Sequence, residues 1–388
     1  MLVQPPPAAP MAGPSSEAMP PIVQEPEAAQ DQPVKVAILL PLSGSLASLG
    51  KAMSDAAQMA MFDLADRRFE LMPIDDKGTA NGSADAAKQA IVNGARLILG
   101  PLLAPSVRSV APLAAAAGVP VIAFSSDQKA SSPGVHIIGF TPEAEVERVV
   151  GFAASRGFSR FAALAPDNLY GAAVVDSLRK TVEANGATAV RVLLYEPNTQ
   201  DFGPLARRLV GTAEAPPDAA SFEAMLPPLA AFDTLLVAEG GKQLRAIAGA
   251  LEAVGVRSPG IQLLGTGKWD EPGIGAQANL VGAWFAAPAP VNREEFNVRY
   301  KRTFGQEPPR LATLAYDATA LAAVLARGPE RHPFSEASLT DPNGFFGRDG
   351  LFRLDADGVV DRKLAILQVE RGGLIVIDEP PRSFAAGS

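Results

Sequence analysis

From Val34 onward the chain switches between two hydrophobic periods. Val36-Ala37-Ile38-Leu39-Leu40 is a short unbroken apolar run, which predicts a strand buried on both faces. The turn segment Pro41-Leu42-Ser43-Gly44-Ser45 follows. Leu49, Met53, Ala57, Ala60 and Leu64 then recur on one face at helical spacing. The alternation continues with a strand over Phe69 to Asp75, a helix from about Ser83, a strand at Arg96 to Leu99, a helix through Ala117 and a strand at Val119 to Phe124. Strands separated by helices of this length predict βαβ units and a mainly parallel sheet.

The alternation then restarts. Val135 to Phe140, Arg160 to Leu164, Ala189 to Tyr195, Thr234 to Ala238 and Ile261 to Leu264 read as strands. Helices are predicted over Glu143 to Ala154, over Tyr170 to Ala184 and up to Val254, with a proline-rich patch between Ala215 and Pro228. Two helices, Arg293 to Phe304 and Ala312 to Ala326, lead into a hairpin-like stretch around Leu354 to Gly358. Two final runs, Leu364 to Val369 and Leu374 to Ile377, flank the turn signal Gly372-Gly373. Two consecutive βα series of this length predict two doubly wound lobes, since a single sheet of a dozen strands is unusual.

Composition narrows the chemistry. The chain has 388 residues, 47% of them hydrophobic, enough for two cores of ordinary size. A net charge of −8, with Arg68, Arg207, Arg208 and Arg310 scattered, argues against nucleic-acid binding, which needs clustered cations. With no cysteine, thiol catalysis, disulfides and thiolate zinc sites are excluded. His136 and His332 lie far apart without nucleophile or ligand neighbours and read as structural. No apolar stretch reaches the roughly 18 residues that span a bilayer. The first 33 residues hold nine prolines, four acids and no Lys or Arg, which predicts a disordered linker without the basic and apolar regions of an export signal.

Motifs for specific reactions fail on inspection. Gly265-Thr266-Gly267-Lys268 lacks the preceding glycine and the following hydroxyl of a phosphate loop and reads as a strand exit. Asp355-Ala356-Asp357-Gly358 continues into Val359-Val360 and reads as a turn, not a calcium loop. Ser43 sits in Leu-Ser-Gly-Ser, outside any nucleophile elbow. Asp75 and Asp76 are adjacent strand residues and point to opposite faces. Neither a catalytic set nor a metal or cofactor site is expected.

What remains is the set of loops at the carboxyl ends of strands, where open α/β sheets bind ligands. Leu42-Ser43-Gly44 follows the first strand, Gly100 to Ser106 the third, and Ser125-Ser126-Asp127 the fourth. Such loop-to-helix starts offer free N–H groups, which ordinary serine capping would also explain.

The run Val36 to Gly44 resembles the opening of the type I periplasmic binding-protein fold, the leucine/isoleucine/valine receptor family. Asp75-Asp76-Lys77-Gly78, Ile98 to Pro101 with Ser106, Gly118 to Ile122, Tyr170-Gly171, Tyr300 with Phe304-Gly305 and Pro308, and Ala315 to Ala318 match in order. The resemblance covers Val34 to Ile377 and implies two lobes joined by three hinge crossings. The expected division is 34–140 plus 267–328 for one lobe, 141–266 plus 329–378 for the other, and a tail over 379–388. It also implies an inter-lobe ligand site. The candidate ligand-binding residues are Ser43, Leu103, Ala104, Ser106, Ser125, Ser126 and Asp127 on one side. Tyr170, Glu239, Thr266, Lys268 and Trp269 stand on the other.

Two positions depart from the amino-acid receptors. Asp127 stands where those receptors hold a ligand carboxylate, and Lys268 falls near the place of the acid that holds the ammonium; both carry the repelling sign. Leu39-Leu40-Pro41-Leu42-Ser43-Gly44, Leu99-Gly100-Pro101-Leu102 and Ala123 to Asp127 are instead similar to the penicillin-binding-protein activator branch. That branch implies a non-enzymatic protein of the periplasm, possessing a peptidoglycan synthase as partner and a small polar ligand in its cleft. The proline-rich start then suits a linker to a lipid anchor upstream. The other function implied by the fold is a transporter-coupled solute receptor.

Overall fold

The computed structural model describes residues 33–211, 231–328 and 332–384. The predicted linker up to residue 32, the proline-rich patch at 215–228 and the last four residues of the tail lie outside the described residues. Strand β1 (Val34–Leu40) shows why its run is unbroken: Val34, Val36, Ile38 and Leu40 enter one core, Ala37 and Leu39 the other. It pairs in parallel with β2 (Phe69–Asp75) and β3 (Leu97–Leu99), and β4 (Val121–Ala123) and β5 (Val135–Ile137) extend the sheet in the order β2-β1-β3-β4-β5. Helix α1 (Ala47–Leu64) covers one face; α2 (Ala80–Val92) and α3 (Ala104–Ala117) cover the other.

Helix α4 (Pro142–Ser155) opens the second lobe with proline in its first turn, where the missing N–H costs no helical bond. The second sheet starts with β6 (Arg160–Pro166), α5 (Leu169–Ala184), β7 (Thr188–Tyr195), α6 (Gly203–Val210), β8 (Thr234–Val237), α7 (Gly241–Ala253), β9 (Gln262–Gly265) and β10 (Trp284–Ala287). Along β6, Ala162 and Leu164 face α6 and α7, while Phe161, Ala163 and Ala165 face α4 and α5. After β10 the chain returns to the first lobe. Helices α8 (Pro290–Phe304) and α9 (Ala312–Ala326) join α1, where the alanines of α1 and α9 let the helices approach closely. Helix α10 (Glu336–Leu339) and a small sheet of β11 (Phe345–Gly347), β12 (Gly350–Leu354) and β13 (Val360–Arg362) follow, still on the first lobe's core. Strands β14 (Ala365–Glu370) and β15 (Gly373–Asp378) then add antiparallel to β10, completing the order β15-β14-β10-β9-β8-β6-β7.

The two-lobed architecture with three crossings agrees with expectation, but its seams fall elsewhere. Residues 267–287 belong with the second sheet, so the middle crossing lies at 288–289 and not at 267. Strand β10 is four residues long, half alanine, without a β-branched residue and followed by Pro288, which hides it from a periodicity reading. Residues 332–362 pack with the first lobe through Phe334, Leu339, Phe352, Leu354 and Val360, so the last crossing lies at 363–364 and not at 329.

Because β10 carries the central seam of the second sheet, Phe285→Ala is expected to cost about 3–5 kcal/mol, the usual price of emptying a fully buried aromatic site. Urea unfolding followed by circular dichroism measures it.

Candidate functional site

All three crossings sit at carboxyl ends of parallel strands. The first leaves β5, the second leaves β10, and the third enters β14 at Ala365, paired with Ala287 at the end of β10. The carboxyl edges of both sheets therefore turn toward the hinge, and the loops that follow the strands, the two rims below, collect there.

On the first lobe's rim, Asp75 accepts from the backbone N–H groups of Leu42 (2.9 Å), Ser43 (3.2 Å) and Lys77 (2.9 Å) and so shapes the exposed loop holding Ser43. Leu103 adopts the extended conformation that precedes α3, and Ala104 begins that helix without a side-chain cap. Ser106 follows in its first turn, fully buried, with no hydrogen-bond partner for its Oγ. The Oγ of Ser125 accepts from the N–H of Asp127 at 3.1 Å, whereas Ser126 is exposed. The carboxylate of Asp127 is already engaged: Oδ1 accepts from the N–H of Lys129 and Oδ2 from the Arg108 guanidinium.

On the second rim, the β6-to-α5 turn fixes Tyr170. Asn168 caps the helix by accepting from the Gly171 N–H at 2.9 Å, and a Cβ on Gly171 would stand 1.9 Å from the Pro166 carbonyl oxygen. Only glycine permits so tight a turn. The hydroxyls of Tyr170 and Thr266 lie 2.7 Å apart. Lys268 Nζ sits 4.0 Å from the centre of the Tyr170 ring and 3.2 Å from Glu239 Oε1. Glu239 Oε2 accepts from the Tyr195 hydroxyl at 2.9 Å. Burial first, then nearby carboxylates, push both tyrosine pKa values up, so both phenols remain protonated donors. An aromatic face beside a carboxylate is a cation site, and a cation of the chain itself fills it.

Trp269 is the exception among the sequence-selected residues. It does not reach the rim but lies fully buried in the core of the second lobe, against Phe285. Gly265 makes room for it, since a Cβ there would fall 2.2 Å from the indole. A resemblance selects positions, not the direction in which a side chain leaves them. Tyr195, Arg108 and Glu145 were not selected. Tyr195 closes a strand, where the strand-end rule points; the other two lie within helices, where no local signal marks them.

Behind the second rim, Glu145 on α4 is buried and accepts from the Gly267 N–H at 2.9 Å. A Cβ on Gly267 would stand 2.2 Å from that carboxylate. Burial pushes the Glu145 pKa up to about 7, opposed by the Gly267 bond and by Arg310. Its folded value exceeds its unfolded one, so the folded state binds more protons between about pH 4.5 and 7. Ionisation therefore costs stability as pH rises through that window. Glu145→Gln retains an oxygen acceptor and escapes the cost. Its stability relative to the unaltered chain is expected to rise between pH 5 and pH 8 by at most about 3 kcal/mol. Urea titrations at both pH values measure the difference; a gap independent of pH contradicts it.

Comparison with known proteins agrees with the two-lobed fold. An ABC transporter substrate-binding protein from Sphaerobacter thermophilus superposes with a TM-score of 0.72 at 18% identity, over 91% of this chain and 99% of that one. The branched-chain amino acid binding protein LivJ from Streptococcus pneumoniae, solved with isoleucine, gives 0.65 at 17% identity, over 90% and 100%. At these identities the likeness shows the fold alone. In sequence, 171 residues are 27% identical to the penicillin-binding protein activator LpoA of Vibrio cholerae, covering 42% of this chain. The chain spans 28% of the length of that relative. The family model described as periplasmic binding protein matches residues 33–373, and with the two-lobed fold already on the page the chain belongs to the periplasmic binding protein family.

Proposed function

We propose that the chain is a non-enzymatic periplasmic protein that acts as a penicillin-binding protein activator, engaging a peptidoglycan synthase, with a lipid anchor upstream of the proline-rich segment. The observation that carries this reading is Lys268, which occupies the cation site made by Tyr170 and Glu239. A receptor for a free amino acid must hold an ammonium group. A second cation about 4 Å from Lys268 would be repelled by about 1–4 kcal/mol, between the water and near-surface limits. Lys268 is part exposed, which favours the lower figure. The partial match to LpoA points to the activator branch. Against catalysis stands the state of the polar groups on the rims: the phenols stay protonated, Lys268 and Glu239 neutralise each other, and the buried Ser106 has no adjacent base.

One observation favours a second reading, a receptor for a small polar ligand without an amine. The Ser106 hydroxyl is buried at the start of α3 and unpartnered, as a ligand's hydrogen-bonding group would require.

Two measurements test the proposal, and the first also separates it from the second reading. The periplasmic part of a bifunctional penicillin-binding protein from the same organism is expected to bind the full chain saturably and to polymerise or cross-link glycan faster in its presence. Calorimetry with leucine and isoleucine is expected to show no heat. No binding and no stimulation, together with micromolar affinity for either amino acid, would overturn the proposal.

A further inference from the structure

The hinge carries a buried ionic cluster built from the chain's own side chains. Asp270 belongs to the second lobe: it directly follows Trp269, which is embedded in that lobe's core. Both arginines that grip it belong to the first. Arg293 lies on α8, whose Phe296 and Tyr300 pack against α1 and α9, and Arg310 directly precedes α9. Arg293 binds the Asp270 carboxylate through both terminal nitrogens, Nη2 at 2.8 Å, and Arg310 Nε reaches it at 2.9 Å. These side chains are 5%, 15% and 22% exposed for Asp270, Arg293 and Arg310, so water screens the pairs weakly.

The cluster extends to the other crossings. Arg310 also meets the fully buried Asp349 at 3.0 Å, and its guanidinium lies 4.0 Å over the ring of Phe140 in the first crossing. Arg362, at the end of β13 beside the third crossing, stacks 5.1 Å from the same ring and donates to the Ile138 carbonyl at 3.0 Å. One aromatic ring thus meets two guanidiniums from different parts of the hinge. A swing of one lobe against the other bends all three crossings together. It would draw Asp270 away from Arg293 and Arg310 and strand buried charges without counter-ions.

We infer that Asp270, Arg293 and Arg310 form a ligand-independent clamp that fixes the angle between the two lobes, so that the protein presents one rigid body whether or not its cleft is filled. This inference goes beyond the activator reading and does not depend on the identity of the partner.

The absence of cysteine makes the test direct. Asn93→Cys and Glu183→Cys place spin labels at exposed sites, one on each lobe, for pulsed electron–electron distance measurement on the full chain. In the otherwise unaltered protein a single narrow distance is expected. Asp270→Asn is expected to add a second distance population, and Arg310→Gln to do the same. Should Asp270→Asn fail to fold by circular dichroism, Arg310→Gln carries the test, and the charge-preserving Arg293→Lys is expected to keep the single distance. Two populations in the unaltered background would overturn the clamp. So would a single unchanged distance in whichever of Asp270→Asn and Arg310→Gln folds.

Discussion

Parallel pairing constrains this molecule more than any single contact. In each sheet the parallel strands end on the same edge, so every loop that follows a strand collects there. The chain also changes sheets there, at the ends of β5 and β10 and at the start of β14. The rims and the hinge are therefore one region seen from two sides. The residues that position the loops, such as Glu145 under Gly267, stand beside those that hold the lobes together, such as Arg310. A change in either is felt by the other through charge, over distances too short for screening to matter.

Within that region, several charges pair with a residue from another element. Asp127 takes Arg108 from α3; Lys268 takes Glu239 from the end of β8; Asp270 takes arginines from across the hinge. Each pairing changes what the residue could do for a ligand. An isolated Asp127 would repel an incoming carboxylate, but beside Arg108 its field is largely that of a dipole. Lys268 differs because its partner is the very group that a ligand's ammonium would use. Of the two positions whose sign departs from the amino-acid receptors, Lys268 is the one with consequences.

Much of the scaffold was readable from the chain, and the reasons are specific. The boundaries of β2 and α9 coincide with Phe69–Asp75 and Ala312–Ala326 because strong patterns end there abruptly. Strand β10 was not readable, because Trp284-Phe285-Ala286-Ala287 has neither alternation nor branching, and its loss displaced the seam between lobes by some twenty residues. At the rims, the family resemblance placed Tyr170, Glu239, Thr266 and Lys268, which the fold brings together. It misjudged Trp269, whose direction depends on the space left by Gly265. Arg108, Arg293 and Arg310 acquire their roles only through partners distant in sequence, which no local pattern encodes.

Magnitudes connect the hinge to the cleft. Removing one partner from a buried ion pair costs on the order of 3–5 kcal/mol, since the remaining charge is left without compensation. A ligand can move the lobes only by the difference between its affinities for the two arrangements, never by its total affinity. A millimolar ligand has about 4 kcal/mol in all, and only part of that can differ between arrangements. A weak occupant of this cleft therefore cannot release Asp270 from both arginines, whereas a protein partner that meets both lobes over a large interface can supply more. If Asp270 and its arginines clamp the hinge as proposed, the partner that moves or reads it is a macromolecule and not a small occupant.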